Sequence, residues 1–572
     1  MCGIAGIYGD GDIKGMLGAL SHRGPDAEGI YSDGKLKLGA RCLKITDLSG
    51  SNQPIYNEDK TICVVLNGEI YNYLEIKQGL KGHTFKTKTD TEMIVHAYEE
   101  YGIECISRFN GSFALAIWDS NNLYLARDRI GQKPIYYYHK DNSFIFASEI
   151  KSILTQVDAE PNITENFKVF ETVLDEETLF KDIFSLSPAS ILIFDVQGVK
   201  IKKYWELRSG EPGSLSEEQY IEKLKWLIED SVRLRLRVEA PIGLFLSGGI
   251  DSSLIACLAK PRHVFSCNYD LGEDFDELFY AQLVARDIKA EHHIVRPTSL
   301  DFKKHYEKII WHLDQPIATA SSISAFLLAK EASRYVKVIL NGEGADELFG
   351  GYIRYLFMLA EKGIEAVPEL RSYQFLARYF LNKVRSRDAA ERYFELTKRG
   401  IPATSRPLIK FREIFSKYDN LIDKMGACDI EITLPSLLMM GDRTCSAFGM
   451  GNRSPFLDHR IIEFAFSLPQ EMKIKGLTTK YILRRVAEGI VPDEIIRRTD
   501  KKGLVTPIYR WFSGDLADWS NSLSNRFKRR RVEIKHNEGR GEYDRYLYTV
   551  VSLELWHQIF LDAKKPVQGH AV

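Results

Sequence analysis

Leu244-Phe-Leu-Ser-Gly-Gly-Ile-Asp-Ser-Ser253 reads as a buried strand that delivers a serine-glycine turn to the start of a helix. Gly248 and Gly249 let the backbone approach an anion closely, and a helix N-terminus offers free N–H groups and a favourable dipole. Ser247, Ser252 and Ser253 add hydroxyl donors. Asp251 cannot bind phosphate itself, so it reads as a magnesium ligand. The Gly-Lys-Ser/Thr of a Walker loop is absent.

Working outward, strand and helix alternate around this turn. Residues 217–237 have helical periodicity, 264–269 and 336–340 read as strands, and 277–289 as a helix. That order predicts a parallel α/β sheet with helices on its faces. From residue 352 onward the reading is mainly helical. A second cluster, Leu340-Asn-Gly-Glu-Gly-Ala-Asp-Glu-Leu-Phe-Gly-Gly-Tyr352, follows another apolar strand and is expected at the same sheet edge. Carboxylates beside a nucleotide must bind metal or move protons. Asp346 is therefore a second magnesium candidate, and Glu343 a general base for an attacking amine. Lys480, in Thr479-Lys-Tyr-Ile-Leu-Arg484, could neutralise charge on a departing anion.

Before residue 205 the texture differs. Segments 62–66, 113–118, 135–138 and 191–194 are short and rich in branched or aromatic residues, with helical spacing over 91–101. The glycine, proline and serine of residues 208–216 mark a linker, which divides the chain into 1–208 and 217–572. Cys2 follows the initiator methionine. Once Met1 is removed, one residue carries a thiol and a free α-amine, a nucleophile with its own base.

At 572 residues the chain needs two or three domains. Its formal net charge of -1, from 77 basic and 78 acidic residues, calls for no polyanionic partner. The basic cluster Arg526, Lys528, Arg529, Arg530 and Arg531 reads as a solvated loop, not a nucleic-acid site. Eight scattered cysteines suggest reduced thiols and a cytoplasmic setting. Neither a signal peptide nor a membrane-length apolar run is evident.

The Ser247–Ser253 run resembles the pyrophosphate loop of ATP pyrophosphatases, which implies cleavage of ATP to AMP and pyrophosphate through an acyl-adenylate. With Cys2-Gly-Ile-Ala-Gly-Ile, His22-Arg-Gly-Pro-Asp26, Asn67-Gly-Glu-Ile-Tyr-Asn72 and Thr89-Asp90, the whole chain resembles the glutamine-hydrolysing asparagine synthetases. Arg127-Asp-Arg-Ile-Gly-Gln-Lys-Pro134, Arg453-Ser-Pro-Phe-Leu-Asp458 and Lys501-Lys-Gly503 look like further signatures.

The resemblance implies an αββα N-terminal-nucleophile glutaminase joined to an α/β synthetase of the adenine-nucleotide α-hydrolase type. It casts Cys2 as nucleophile, Asn67 and Gly68 as oxyanion donors, and Glu69 and Asp90 as holders of the glutamine ammonium. Leu246, Cys267 and Gly342 would contact ATP. The substrates are small molecules, glutamine and a carboxylate acceptor. Aspartate is the first choice of acceptor; a sugar acid, natural product or cofactor precursor is the alternative. A homodimer is compatible with this reading, and the sequence does not fix it.

Three positions depart from the family. Cys42 stands where an arginine grips the glutamine carboxylate, with Arg41 one place earlier, so either a bulge restores Arg41 or glutamine binding is weakened. Ala320 stands where some members carry an arginine for aspartate, and Gly451 replaces a glutamate. Phosphoribosyl amidotransferases lack the second half, and ring-closing β-lactam synthetases lack a working glutaminase. A non-catalytic glutamine sensor would form no AMP.

Overall fold

A computed structural model describes residues 2–45, 52–140, 143–195, 197–210, 213, 215–270, 272, 278–316, 319–359, 388–498, 506–535 and 545–563. The Lys501–Gly503 signature, Ile317 and Ala318 of the expected acceptor segment, and residues 211, 212 and 214 of the expected linker lie outside them.

The first part of the chain builds two six-stranded antiparallel sheets that face one another. Gly111–Trp118 shows how the sequence produces this packing. Phe113, Leu115 and Ile117 point to one apolar cluster, and Ala114, Ala116 and Trp118 to the cluster between the sheets. A strand's period of two does this directly. Asp90–Tyr101 covers the outer face of one sheet, while Ile13–Ala19 and Ile150–Ile153 cover the other. Helix–sheet–sheet–helix layering follows. Thr89 caps the Asp90–Tyr101 helix by accepting from the Glu92 N–H at 3.4 Å.

The second part centres on five parallel strands in the order Glu291–Val295, His263–Cys267, Ile242–Phe245, Val338–Leu340, Gly451–Arg453. Helices flank it, among them Glu217–Arg235, which a Ser216–Gln219 capping box starts. The first of these strands in the chain, Ile242–Phe245, lies between the second and the fourth. That is a topological switch point, where doubly wound sheets open a crevice at their carboxyl edge.

Among the described residues the region after 352 is mainly helical, as expected, with Gly451–Arg453 adding a fifth strand beside Val338–Leu340 and Ile474–Lys475 pairing with Thr478–Thr479. One expectation needs correction. The basic cluster is not a loop. Arg526, Lys528 and Arg529 close the Ala517–Arg529 helix, and Arg530 binds Glu554 and Asp562 at 2.5 Å each. No helix among the described residues is long and apolar enough to cross a membrane.

The two parts meet through buried charge. Arg23 lies 2.8 Å from Glu149 and 2.9 Å from Asp442. Arg443 binds Glu149 and Asp314 at 2.6 and 3.1 Å, and Lys151 binds Asp314 at 2.7 Å. Burial opposes ionisation of Glu149, but Arg443 and Lys151 hold it well below the usual carboxylate range. Asn110 Nδ2 donates to Asp458 at 2.9 Å, another bond across the boundary.

Candidate active sites

Cys2 lies at the edge of the inter-sheet core and is 8% exposed. Its strand pairs Gly3 with Arg41, so the same register sets Cys2 opposite Cys42. The Cys42 S–H donates to the Cys2 sulfur. That bond, working against burial, brings the Cys2 thiol down to about 6 and raises Cys42. Gln53 Nε2 also points at Cys2 Sγ, 3.7 Å away, and its carboxamide clasps the Leu66 backbone at 2.6 and 3.1 Å.

That clasp positions the next residue. Strand alternation along Cys63–Ile70 puts Asn67 on the inter-sheet face with Cys63 and Val65. Its carboxamide is fully buried, and neither Nδ2 nor Oδ1 has a hydrogen-bond partner among the described residues. An orphaned buried amide costs on the order of 1–3 kcal/mol unless a ligand completes it. Gly68 follows with φ +128°, and a Cβ there would sit 2.1 Å from the Ser112 carbonyl oxygen. Only glycine fits that turn.

Asp90 accepts from the Ile70 N–H at 2.8 Å. Burial, with the charges of Glu69 and Cys2 nearby, pushes its carboxyl up to about 7. A bound ammonium would draw it back to the ionised form. Glu69 is placed differently from its expected role. Arg453 grips it with two nitrogens, Nε at 2.8 Å, and holds its carboxyl low despite burial. Of the two acids expected to hold an ammonium, Asp90 is the one not tied to a guanidinium.

Arg41 is not brought to the thiol. Its strand runs in unbroken register, without a bulge, so Leu36, Leu38, Ala40 and Cys42 line the inter-sheet face and Arg41 points away. It binds Glu28 instead, at 2.9 Å.

The second centre forms at the carboxyl edge of the parallel sheet. Gly248 takes φ +73°, and a Cβ there would come within 2.6 Å of the Ala281 nitrogen. The Ser247 and Ser252 hydroxyls lie 3.0 Å apart across the turn, and the Ser253 hydroxyl is buried without a partner among the described residues. Gly249 caps the Ile250–Ala259 helix. Leu246 is buried, and Cys267 ends the neighbouring strand. Gly342 brings the second motif against the first, since a Cβ there would meet Asp251 and Ser252 at 3.0 Å.

Lys480 ties the motifs together. Its Nζ lies 2.6 Å from Asp251 Oδ2 and 2.6 Å from Asp346 Oδ1. It is almost fully buried and holds the left-handed backbone at φ +55°, a strain typical of functional positions. Two carboxylates converging on one cationic centre also suit a hard divalent ion.

Glu343 hydrogen-bonds Ser454 and Asn341, each at 3.3 Å. Burial, then the charge of Glu347, pushes it up to about 7, which suits a base working near neutrality. Ala320 packs into an apolar cluster and offers no charge to an acceptor.

Several functional groups escaped the sequence reading. Arg23 Nε donates to the Cys2 carbonyl at 3.1 Å, and its other end holds Asp442. Lys133 Nζ reaches Asp442 at 3.4 Å and Asn452 Oδ1 at 3.0 Å, and its charge bears on Glu343. Buried polar groups therefore lie between one centre and the other. The His22–Asp26 and Arg127–Pro134 motifs, which contain Arg23 and Lys133, were the hints of this.

A thiol beside an orphaned amide in a four-layer sandwich, joined to a serine-glycine anion cradle on a parallel sheet, defines a two-centre glutamine amidotransferase. Residues 1–205 match the glutamine amidotransferase domain family, and residues 223–558 the asparagine synthase family. Asparagine synthetase [glutamine-hydrolyzing] 1 of Bacillus subtilis is 31% identical, across 99% of this chain and 98% of its own length. A putative asparagine synthetase [glutamine-hydrolyzing] 2 of Methanocaldococcus jannaschii is 35% identical over 62% of this chain and 76% of its own. Amidase chyE of Penicillium rubens is 27% identical over 88% and 86%. The chain belongs to the asparagine synthase family.

Proposed function

We propose that this chain hydrolyses glutamine at Cys2 and uses the ammonia to amidate an adenylated carboxylate, aspartate, with ATP cleaved to AMP and pyrophosphate. The observation that carries the reading is the meeting of Asp251, Asp346 and Lys480 beside the serine-glycine turn.

At the first centre the Cys2 thiolate attacks the glutamine amide carbon. Asn67 Nδ2 and the Gly68 N–H are available for the oxyanion, a contribution of about 3–4 kcal/mol where one such donor is removed elsewhere. Ammonia leaves, water hydrolyses the thioester, and glutamate departs. Asp90 holds the substrate ammonium.

At the second centre the N–H groups of the Ser247–Ser253 turn hold pyrophosphate oxygens, and Leu246, Cys267 and Gly342 border the nucleotide. The acceptor carboxylate attacks the α-phosphorus, and pyrophosphate leaves against Lys480. Asp251 and Asp346 suit magnesium, which would neutralise phosphate charge. Glu343 takes the proton as ammonia attacks the acyl-adenylate, and AMP departs. Ammonia moves internally past Arg23, Asp442 and Lys133, since in water near neutrality it becomes unreactive ammonium. Partners on this reading are small molecules alone.

Incubation with amide-labelled glutamine, aspartate, ATP and magnesium is expected to give labelled asparagine and AMP in equal amounts. AMP formed only with another acid would transfer the assignment to that acid. No AMP with any acid would remove the synthetase reading.

A further inference from the structure

Outside both centres, the amidotransferase domain gathers two imidazoles and two carboxylates around one point. Glu58 follows the strand Ile55–Tyr56, His83 lies in the loop before the Asp90–Tyr101 helix, and His96 and Glu99 share one face of that helix at spacing i, i+3. One ligating atom from each lies within 4.8 Å of all the others. His96 Nδ1 is 2.8 Å from Glu99 Oε2 and 4.0 Å from Glu58 Oε2, and His83 Nδ1 is 3.3 Å from Glu99 Oε2. Donors bound at about 2.0–2.1 Å in a tetrahedron stand about 3.3 Å apart, within the range observed.

The atoms that face away from this point are held by other groups. Glu99 Oε1 accepts from Asn57 Nδ2 at 3.0 Å, and Glu58 Oε1 accepts from the Thr84 N–H at 3.3 Å. His83 Nε2 faces Glu100 Oε1 at 3.0 Å. That leaves Glu99 Oε2, Glu58 Oε2 and His83 Nδ1 turned inward, with carboxylate behind imidazole as metal-bound histidines are usually supported. His96 Nε2 is buried with no partner among the described residues, so Nδ1 is the ring's polar outlet there.

With Nε2 as the protonated nitrogen of each ring, both neutral imidazoles turn an Nδ1 lone pair toward the inward carboxylate oxygens, and a single divalent ion between them would be bound by all four groups. Two nitrogens with two carboxylate oxygens suit a borderline ion such as zinc; magnesium and calcium prefer all-oxygen sites.

We infer that Glu58, His83, His96 and Glu99 form a zinc site that pins the 57–61 and 80–88 loops to the helix carrying Asp90. The ion would brace the amidotransferase domain and take no part in either reaction.

The full-length protein, stripped with chelator and kept in excess magnesium, is titrated with zinc, passed through gel filtration and assayed for bound metal. One zinc per chain is expected, together with a raised Tm. Cobalt in its place should give the visible absorption of a tetrahedral nitrogen–oxygen site. His83→Gln and Glu58→Gln, chosen because both positions are partly exposed, should keep their circular dichroism and lose the retained metal. Wild-type protein that emerges without zinc would overturn the assignment. So would variants that retain zinc as the wild type does, or a cobalt spectrum with thiolate charge-transfer bands.

Discussion

Cys42 is the residue at which this chain differs most usefully from its family. Its S–H bond to the Cys2 sulfur is the largest influence holding that thiol at about 6. A thiolate is the attacking form, so glutamine hydrolysis should rise as pH passes through that value. Cys42→Ala removes the donor, and the acid limb of glutamate release is expected to move upward, toward the ordinary thiol range. A limb that stays in place would contradict this role. The sequence exposed Cys2, Asn67, Gly68 and Asp90 because each sits in a compact motif. It hid the Cys2–Cys42 contact, since only the pairing of Gly3 with Arg41 makes those cysteines cross-strand neighbours. Two expected ligands have other partners here: Arg41 faces away from the thiol toward Glu28, and Glu69 is held by Arg453.

At the scale of the element, the serine-glycine turn is a tightly constrained piece of backbone in the synthetase part. Gly248 holds φ +73°, with the Ala281 nitrogen close to where a Cβ would stand. Forcing an L-residue into that region costs about 1–2 kcal/mol before any clash. Gly248→Ala should therefore raise the KM for ATP by about tenfold or more, with glutaminase turnover unchanged. An unaltered KM would contradict the cradle. This turn was legible because strand, glycines and helix start are consecutive in sequence. Gly451–Arg453 was not, because three residues carry too little pattern, and they become a strand by pairing with Val338–Leu340. The Arg526–Arg531 cluster reads as a loop because its charge density masks the end of the Ala517–Arg529 helix, whose Leu523 and Phe527 are buried.

At the scale of the whole molecule, the two centres are joined by charges buried where the domains meet. Asp442 lies between Arg23 and Lys133, and although burial opposes ionisation, those cations hold its carboxyl below the usual range. A depressed folded-state value adds stability above the unfolded value, and that stability is lost as pH falls through the folded one. Asp442→Asn removes the carboxylate that Arg23 and Lys133 share, Arg23 keeping Glu149, at a cost of about 3–5 kcal/mol. Its Tm should fall at neutral pH, and the wild type's lead should shrink under acid conditions. A variant as stable as the wild type at neutral pH would count against the interface. The motifs holding Arg23 and Lys133 were visible in the sequence, but their partners were not, since Arg23, Glu149, Asp314 and Asp442 are distant in sequence and meet only in the folded chain. Direct passage of ammonia along this boundary is the central claim. Glutamine carrying ¹⁵N at its amide, supplied with excess unlabelled ammonium slightly below neutral pH, tests it through the isotope content of the asparagine formed. Internal transfer predicts product far richer in ¹⁵N than the bulk ammonium pool; product matching that pool would contradict it.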